Sequence, residues 1–187
     1  MTRWPDSIWL VGLSAAGKST VGPLLAARLG YEFVDLDARI EKEHGRTVEE
    51  IFGAEGEASF RATEAAVSGA LLGRARVVVA TGGGWMARED IPRTAAGCVR
   101  VWLRVSPEAS MARLGRETAA RPLLAAGASR LSSLESLLAR RVGAYSEAEV
   151  TVDTDGLDPN GVVEAVLEQL RRGRGTGGQR TGVRRAN

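Results

Sequence analysis

The 187-residue chain has one cysteine, one histidine and two asparagines, and each scarcity removes something. A single thiol, Cys98, permits no intramolecular disulfide and no cysteine-built zinc cluster; set in the apolar run 98–103, it reads as a buried strand thiol. The only histidine, His44, reads as a surface helix residue. Asparagine occurs only at Asn160 and Asn187, so there is no Asn-Lys-x-Asp segment of the kind that reads guanine in the familiar GTPases. Long apolar runs are missing too. Nothing approaches the length of a membrane span, and residues 1–6 lack the apolar core of a secretory signal, so a cytoplasmic protein with no membrane partner is expected. Acids are absent after residue 172. The arginines Arg174, Arg180, Arg184 and Arg185 put four positive charges there, so of the formal net charge of +2 the first 172 residues carry −2. That Gly/Arg-rich tail, 173–187, has almost nothing to bury and is expected to be disordered. No RNA or DNA module accompanies its arginines, so no nucleic-acid partner is expected.

What remains is enough for one core. Hydrophobic residues make up 44% of the chain, and its length points to a single domain, placed at 1–172. The chain is organised around an apolar run from Ile8 that breaks into Gly12-Leu13-Ser14-Ala15-Ala16-Gly17-Lys18-Ser19-Thr20. This is the G-x-x-x-x-G-K-[ST] pattern, with a strand-like run before it and a helical pattern after it. Gly12 and Gly17 let the backbone curl so that successive amides face phosphate oxygens, and the helix that follows adds the positive end of its dipole. Lys18 is placed to reach β- and γ-phosphates, and the Ser19 hydroxyl to ligate Mg²⁺. The competing reading, a small-residue turn that happens to carry a lysine, does not explain both the spacing and the flanks.

Strand and helix patterns then alternate. Val21, Leu24, Leu25 and Leu29 give a helix ending at Gly30, and a strand over 31–36 delivers Asp35 and Asp37 to its C-terminal edge. Residues 38–44 read as helical. Thr47 and Glu50 form a capping-box pattern for a short helix through Phe52, and 57–72 reads as a longer helix. The β-branched run 76–80 is of the kind buried on both faces of a parallel sheet, and it ends in Thr81-Gly82-Gly83-Gly84. A helix is expected around 87–95, a strand at 98–103, and a helix opened by Ser106-Pro107-Glu108. The weakly patterned, arginine-bearing stretch 115–127 has the character of a mobile lid. A helix over 131–147, a strand over 149–153 and a helix opened by Asp158-Pro159 complete an α/β fold with a parallel sheet and helices on both faces.

No aspartate closes the third strand, which leaves Asp35 as the nearest carboxylate for an outer, water-mediated contact with the metal. Phosphoryl transfer from ATP depends on holding the acceptor in line, and Asp37 can accept a hydrogen bond from an acceptor hydroxyl as orienter and general base. Arg61 stands one turn before Glu64, which permits a surface ion pair worth under about 1 kcal/mol. Arg121 and Arg141 are open to reading either as solvated charges or as anion ligands. The glycine triplet costs backbone entropy, which suggests that a ligand passes close to the backbone.

In the order seen in shikimate kinases stand the phosphate loop, Phe33-Val34-Asp35-Leu36-Asp37, Gly45-Arg46-Thr47-Val48-Glu49-Glu50-Ile51-Phe52, Gly56-Glu57 followed by Phe60-Arg61 and Glu64, Thr81-Gly82-Gly83-Gly84, Arg121-Pro122-Leu123-Leu124, and Arg141 four residues before Tyr145. Over about residues 7–170 the chain resembles that family. The resemblance implies a three-layer P-loop kinase fold of the nucleoside-monophosphate-kinase-like type, with a five-stranded parallel sheet in order 2-3-1-4-5. It implies a lid at about 113–128 and a shikimate-binding helical segment at about 37–64. It also implies transfer of the γ-phosphate of ATP to the 3-hydroxyl of shikimate, with Mg²⁺, on the route to aromatic amino acids. ATP contacts would come from Gly12, Ser14, Ala15, Ala16, Gly17, Lys18, Ser19, Thr20 and Arg121, and metal contacts from Ser19 and, through water, Asp35. Asp37, Arg61, Gly82, Gly83, Gly84 and Arg141 would bind shikimate. Lys18, Asp37 and Arg121 would stand nearest the chemistry. The partners are then the small molecules ATP and shikimate, and a monomer is expected.

Two features depart from the family pattern. Trp85 follows the glycine triplet where a smaller apolar residue is common, which bears on the wall of the acid pocket. Arg113 and Arg116 precede Arg121 without an unambiguous match to a second nucleotide-contacting arginine, leaving the adenine contact unassigned. Two rival readings follow: the same chemistry on an aminated or reduced relative of shikimate or another small polyol acid, and a non-catalytic nucleotide-dependent regulator.

Overall fold

The computed structural model describes residues 4–88, 97–116 and 128–175. Strand β1, Ser7–Val11, is buried along its whole length and runs into the glycine-framed loop. Helix α1, Lys18–Leu29, starts from Gly17 and stops at Gly30 in the left-handed conformation, whose amide donates to the carbonyls of Ala26 and Ala27. Strand β2, Glu32–Asp35, passes straight into α2, Leu36–His44. That helix begins two residues before the expected 38, because the Asp35 carboxylate caps it by accepting from the amides of Asp37 and Ala38. Helix α3, Val48–Leu71, opens on the expected capping box of Thr47 and Glu50. It is interrupted at Gly56, whose φ of 81° and ψ of 171° are non-helical, so the two expected helices follow one another across a kink.

Strand β3, Val77–Ala80, leads through the glycines to a single 3₁₀ turn, Trp85–Ala87. The remainder of the helix expected around 87–95 lies mostly outside the described residues. Strand β4, Cys98–Arg104, is followed by α4, Pro107–Arg116, where the Ser106 hydroxyl accepts from the Ala109 amide as a cap. Helix α5, Ala128–Tyr145, strand β5, Val150–Asp153, and α6, Pro159–Gly175, follow. The α6 backbone continues to Gly175, past the expected start of the tail at 173. Its apolar face, Val162, Val163, Val166, Leu167 and Leu170, is buried, and once a helix is anchored each further residue adds a hydrogen bond.

All strand pairs are parallel, and the order is β2-β3-β1-β4-β5. With β1 central, Ile8, Trp9, Leu10 and Val11 form the middle of the core at 0% exposure. Asp35 pairs with Ala80, and Ala80 with Leu10, so β2, β3 and β1 end level. Everything that leaves their C-terminal ends therefore meets at one edge of the sheet, where ligands of open α/β sheets are bound. Trp85 is not at that edge: it is 2% exposed and stacks on Trp9 in the core, ring centroids 4.8 Å apart. Its indole belongs to the hydrophobic core.

Candidate active site

The loop between β1 and α1 is shaped by three left-handed residues, Gly12 (φ 139°), Ala15 (φ 53°) and Gly17 (φ 97°). A Cβ at Gly12 would stand 2.5 Å from the Leu103 carbonyl oxygen, so only glycine lets the loop cross β4 so closely. Lys18 is 8% exposed, and its ammonium donates to the carbonyls of Gly12 at 2.9 Å and Leu13 at 2.7 Å. Helix α4 holds the far side of the loop. The Ser110 hydroxyl donates to the Ser14 carbonyl at 2.9 Å, and Arg113 donates to the Ala15 carbonyl at 3.2 Å. Arg113 also reaches Thr154 beyond β5, at 3.1 Å to its hydroxyl and 2.6 Å to its carbonyl. Ala16 is buried and Thr20 exposed at the start of α1.

At the head of α1 the Ser19 hydroxyl donates to Asp35 Oδ2 at 2.5 Å. The other oxygen, Oδ1, accepts from the amides of Asp37 at 3.1 Å and Ala38 at 3.2 Å. Capping thus fixes one carboxylate oxygen and turns the other toward the phosphate loop. The donor set is two hard oxygens, with no cluster of three His, Cys, Asp or Glu among the described residues. That fits Mg²⁺, which takes one or two protein oxygens and completes its shell from water and substrate phosphates.

The other half of the site surrounds the glycine triplet. A Cβ built on Gly82 would stand 2.8 Å from Glu64 Oε1 and 3.1 Å from Asp37 Oδ1. On Gly83 it would stand 3.3 Å from Arg141 Nη1, 3.6 Å from the Gly12 carbonyl and 3.7 Å from the Ser14 amide. On Gly84 it would stand 2.6 Å from Arg61 Nη2. Within three consecutive residues the backbone therefore touches a carboxylate pair, both arginines and the phosphate loop. Tyr145 locks the arrangement by donating to the Gly83 carbonyl at 2.5 Å. It lies one helical turn after Arg141, on the same face of α5. Burial raises the Tyr145 phenol above its ordinary value, while the Arg141 guanidinium beside it, which also hydrogen-bonds it, pulls the other way.

The Arg61–Glu64 pair is not a surface pair. Glu64 is 0% exposed and accepts from Arg61 Nη1 at 2.7 Å, and the Arg61 guanidinium stands over the rings of Phe60 and Phe52 at 5.3 and 5.9 Å. Glu57 receives two further Arg61 donors, Nη2 at 3.2 Å and Nε at 3.3 Å. Sequence reasoning passed over the structural parts of Glu64, Arg88, Ser110 and Arg113. For Glu64 there was a signal: its i+3 spacing from Arg61, next to the apolar Phe60. Of the expected site residues, Gly12 to Thr20, Asp35, Asp37, Arg61, Gly82, Gly83, Gly84 and Arg141 are gathered at the C-terminal edge of the sheet. Arg121, with most of the expected lid, lies outside the described residues.

A five-stranded parallel sheet in this order, with a glycine-framed phosphate loop leaving its central strand, defines a P-loop kinase. The model of the family described as shikimate kinase matches residues 14–171. A shikimate kinase from Gloeobacter violaceus is 47% identical over 167 residues, covering 89% of this chain and 90% of that one. Another from Chlorobium chlorochromatii is 41% identical over 184 residues, covering 92% and 94%. A solved shikimate kinase from Acinetobacter baumannii, in complex with shikimate, superposes with a TM-score of 0.81 at 33% identity, covering 89% of this chain and 93% of that one. The chain belongs to the shikimate kinase family.

Proposed function

We infer that the site works as a phosphoryl-transfer centre for shikimate, as a cytoplasmic monomer that meets only small molecules. As a shikimate kinase the chain moves the γ-phosphate of ATP onto the acid's 3-hydroxyl, releasing shikimate 3-phosphate and ADP and serving aromatic amino-acid synthesis through chorismate. The observation that carries the division of labour is the glycine triplet, whose three residues abut Asp37, Arg141 and Arg61 and, at Gly83, the phosphate loop. An acceptor seated against Gly82–Gly84 is thereby adjacent to the donor's phosphates.

In this reading the amides of the loop from Gly12 to Thr20 and the Lys18 ammonium hold the triphosphate. Lys18 leaves the carbonyls of Gly12 and Leu13 to do so. Ser19 would hold Mg²⁺ directly and Asp35 through water, and the ion bound there would supply neutralisation of phosphate charge. Arg61 and Arg141 grip the shikimate carboxylate, for which planar, permanently charged guanidinium groups are suited. Asp37 accepts the hydrogen bond of the reacting hydroxyl, aligns its oxygen and takes its proton. Arg121 closes over the transferring group with the lid, stabilising its charge and excluding water. Trp85, the bulky departure from the family pattern, is packed in the core against Trp9, which supports the family's own ring acid as acceptor. Among the described residues the exposed large apolar side chains are Leu24 on α1, Val142 on α5 and Leu157 in the turn before α6, three separate segments, which supports a monomer. Among the described residues no helix is long and apolar enough to cross a membrane.

The test is ADP release from purified protein with ATP and Mg²⁺, with and without shikimate, the product identified by mass. Shikimate-dependent ADP with a singly phosphorylated acid is the expected result; ATP turnover indifferent to shikimate would refute the reading.

A further inference from the structure

Arg61 is surrounded by more negative charge than an anion-binding arginine tolerates alone. The buried Glu64 takes its Nη1 at 2.7 Å, and Glu57 takes two more donors. Glu64 is also only half satisfied. Its Oε1 has no hydrogen-bond partner among the described residues and lies on the glycine wall, 2.8 Å from the Cβ position of Gly82. A carboxylate at 0% exposure, facing the place where an acid must sit, would cancel Arg61 and repel the ligand.

Arg88 answers that problem. It leaves the chain directly after the 3₁₀ turn Trp85–Ala87, is 11% exposed, and lies 3.5 Å from Glu64 Oε2 through Nη1. The same nitrogen donates to the main-chain carbonyl of Arg61 at 2.6 Å. Residue 61 is thus held at both ends, its carbonyl directly and its guanidinium through Glu64. The loop closes back on itself, since Arg61 packs over Gly84, the residue that starts the turn. In charge terms, Arg61 alone faces two carboxylates, Glu64 and Glu57. Arg88 brings a second guanidinium to Glu64, so that the buried carboxylate is shared between two cations.

We propose that Arg88 is a positioning residue for the acceptor: by sharing Glu64 and holding the Arg61 carbonyl, it keeps the Arg61 guanidinium aligned and offsets part of the carboxylate charge that would oppose the acceptor's carboxylate. The inference rests on the shikimate kinase reading and goes beyond it, because Arg88 itself need not touch the acid. Its loss weakens ground-state and transition-state binding alike, which raises KM and spares kcat.

The experiment is steady-state kinetics of wild type, Arg88→Gln, Arg88→Lys and the double variant Arg88→Gln/Glu64→Gln, with thermal unfolding of each. Arg88→Gln is expected to raise the shikimate KM about tenfold, with kcat and the ATP KM within about twofold of wild type. Arg88→Lys, which keeps the charge, is expected to recover most of that loss. The double variant is expected to move back toward wild type, because it removes the charge that Arg88 offsets, a rescue that a packing role cannot produce. A shikimate KM within twofold of wild type in Arg88→Gln overturns the inference, as does a joint loss of kcat and both KM values with a fall in Tm. A wild type without shikimate-dependent turnover overturns the reaction assigned above and this inference with it. An active wild type with an unchanged Arg88→Gln overturns this inference alone.

Discussion

Asp37 sits in the first turn of α2, two residues past the Asp35 cap, where the helix dipole favours a negative charge. Its Oδ1 approaches the Gly82 wall that Glu64 Oε1 also faces, yet the two carboxylates differ in setting: Glu64 is buried against arginines, and Asp37 stands half-buried beside the phosphate loop. Asp37→Asn keeps the shape and loses the base. Turnover should fall by roughly 10²–10³ while ATP affinity, measured by nucleotide titration, stays within about twofold. Unchanged turnover would remove Asp37 from the proton transfer. Cys98 illustrates the opposite case, a reactive residue type made inert by its surroundings. Burial pushes its thiol up to about 11, against an ordinary 9.0, and the nearby Glu149 carboxylate adds to the shift, outweighing the Ser7 hydrogen bond and Arg100. At pH 8 the thiolate fraction is then about a hundredfold lower than in the unfolded chain, and labelling by a disulfide reagent should slow by about that factor until denaturant is added. Equal rates with and without denaturant would contradict this.

At the scale of elements the site is a set of segment ends brought level by the parallel sheet, and the glycine triplet is the segment on which the side chains of the acid half converge. The atom a Cβ at Gly84 would meet is the Arg61 guanidinium at 2.6 Å, the far end of a flexible side chain rather than backbone. Gly84→Ala is therefore expected to fold, with Tm within a few degrees of wild type, while Arg61 is displaced and the shikimate KM rises about tenfold. An unchanged KM would mean that Arg61 is not held in place by that contact. How much of this was legible depended on the kind of signal. The phosphate loop, the Thr47/Glu50 box, the two-carboxylate strand end and the parallel sheet are readable because local spacing or alternation encodes them, whereas the strand order comes only with the family resemblance. The cap that starts α2 at Leu36 was missed because an aspartate at a strand end reads equally as a site residue; Asp35 is placed for both. The burial of Glu64 is not legible in sequence, which leaves a surface pair with Arg61 open, since an i+3 pair looks the same whether its helix face meets water or the core. The stacking of Trp85 on Trp9 has no signal in sequence, because Trp9 lies on β1, far away along the chain, and Arg88 has none either, lying on an irregular segment without periodicity.

Across the whole molecule, the acid half of the site hangs on β1, β2 and β3, whereas Arg113 braces the phosphate loop against Thr154, beyond the edge strand β5. The seating of β5 on β4 therefore bears on the loop. Two ion pairs fasten that edge: Arg100 with Glu149 just before β5, and Arg104 with Asp153, its direct partner in register at the strand's end. Burial pushes the Glu149 carboxyl up, but the hydrogen bonds from the Arg100 side chain and amide outweigh it, so the group titrates below its ordinary 4.5. The Asp153 carboxyl is likewise lowered, chiefly by its hydrogen bond from Arg104. A carboxyl held low in the folded state binds its proton more readily once unfolded. Its stabilising contribution is thus complete above the ordinary carboxylate range and is lost as pH falls through the lowered folded value. Glu149→Gln should accordingly cost roughly 1 kcal/mol at pH 7, a modest figure because the Glu149 side chain keeps 40% of its surface in water and solvent screens the pair. For a chain of this size that is a Tm drop of about 2–4 °C. Thermal unfolding of wild type and variant between pH 7 and pH 3 should show the two midpoints converging below about pH 4.5, where protonation removes from the wild type what the substitution has already removed. A gap that stays constant to pH 3 would mean that Glu149 holds β5 by shape and neutral hydrogen bonding rather than by its charge.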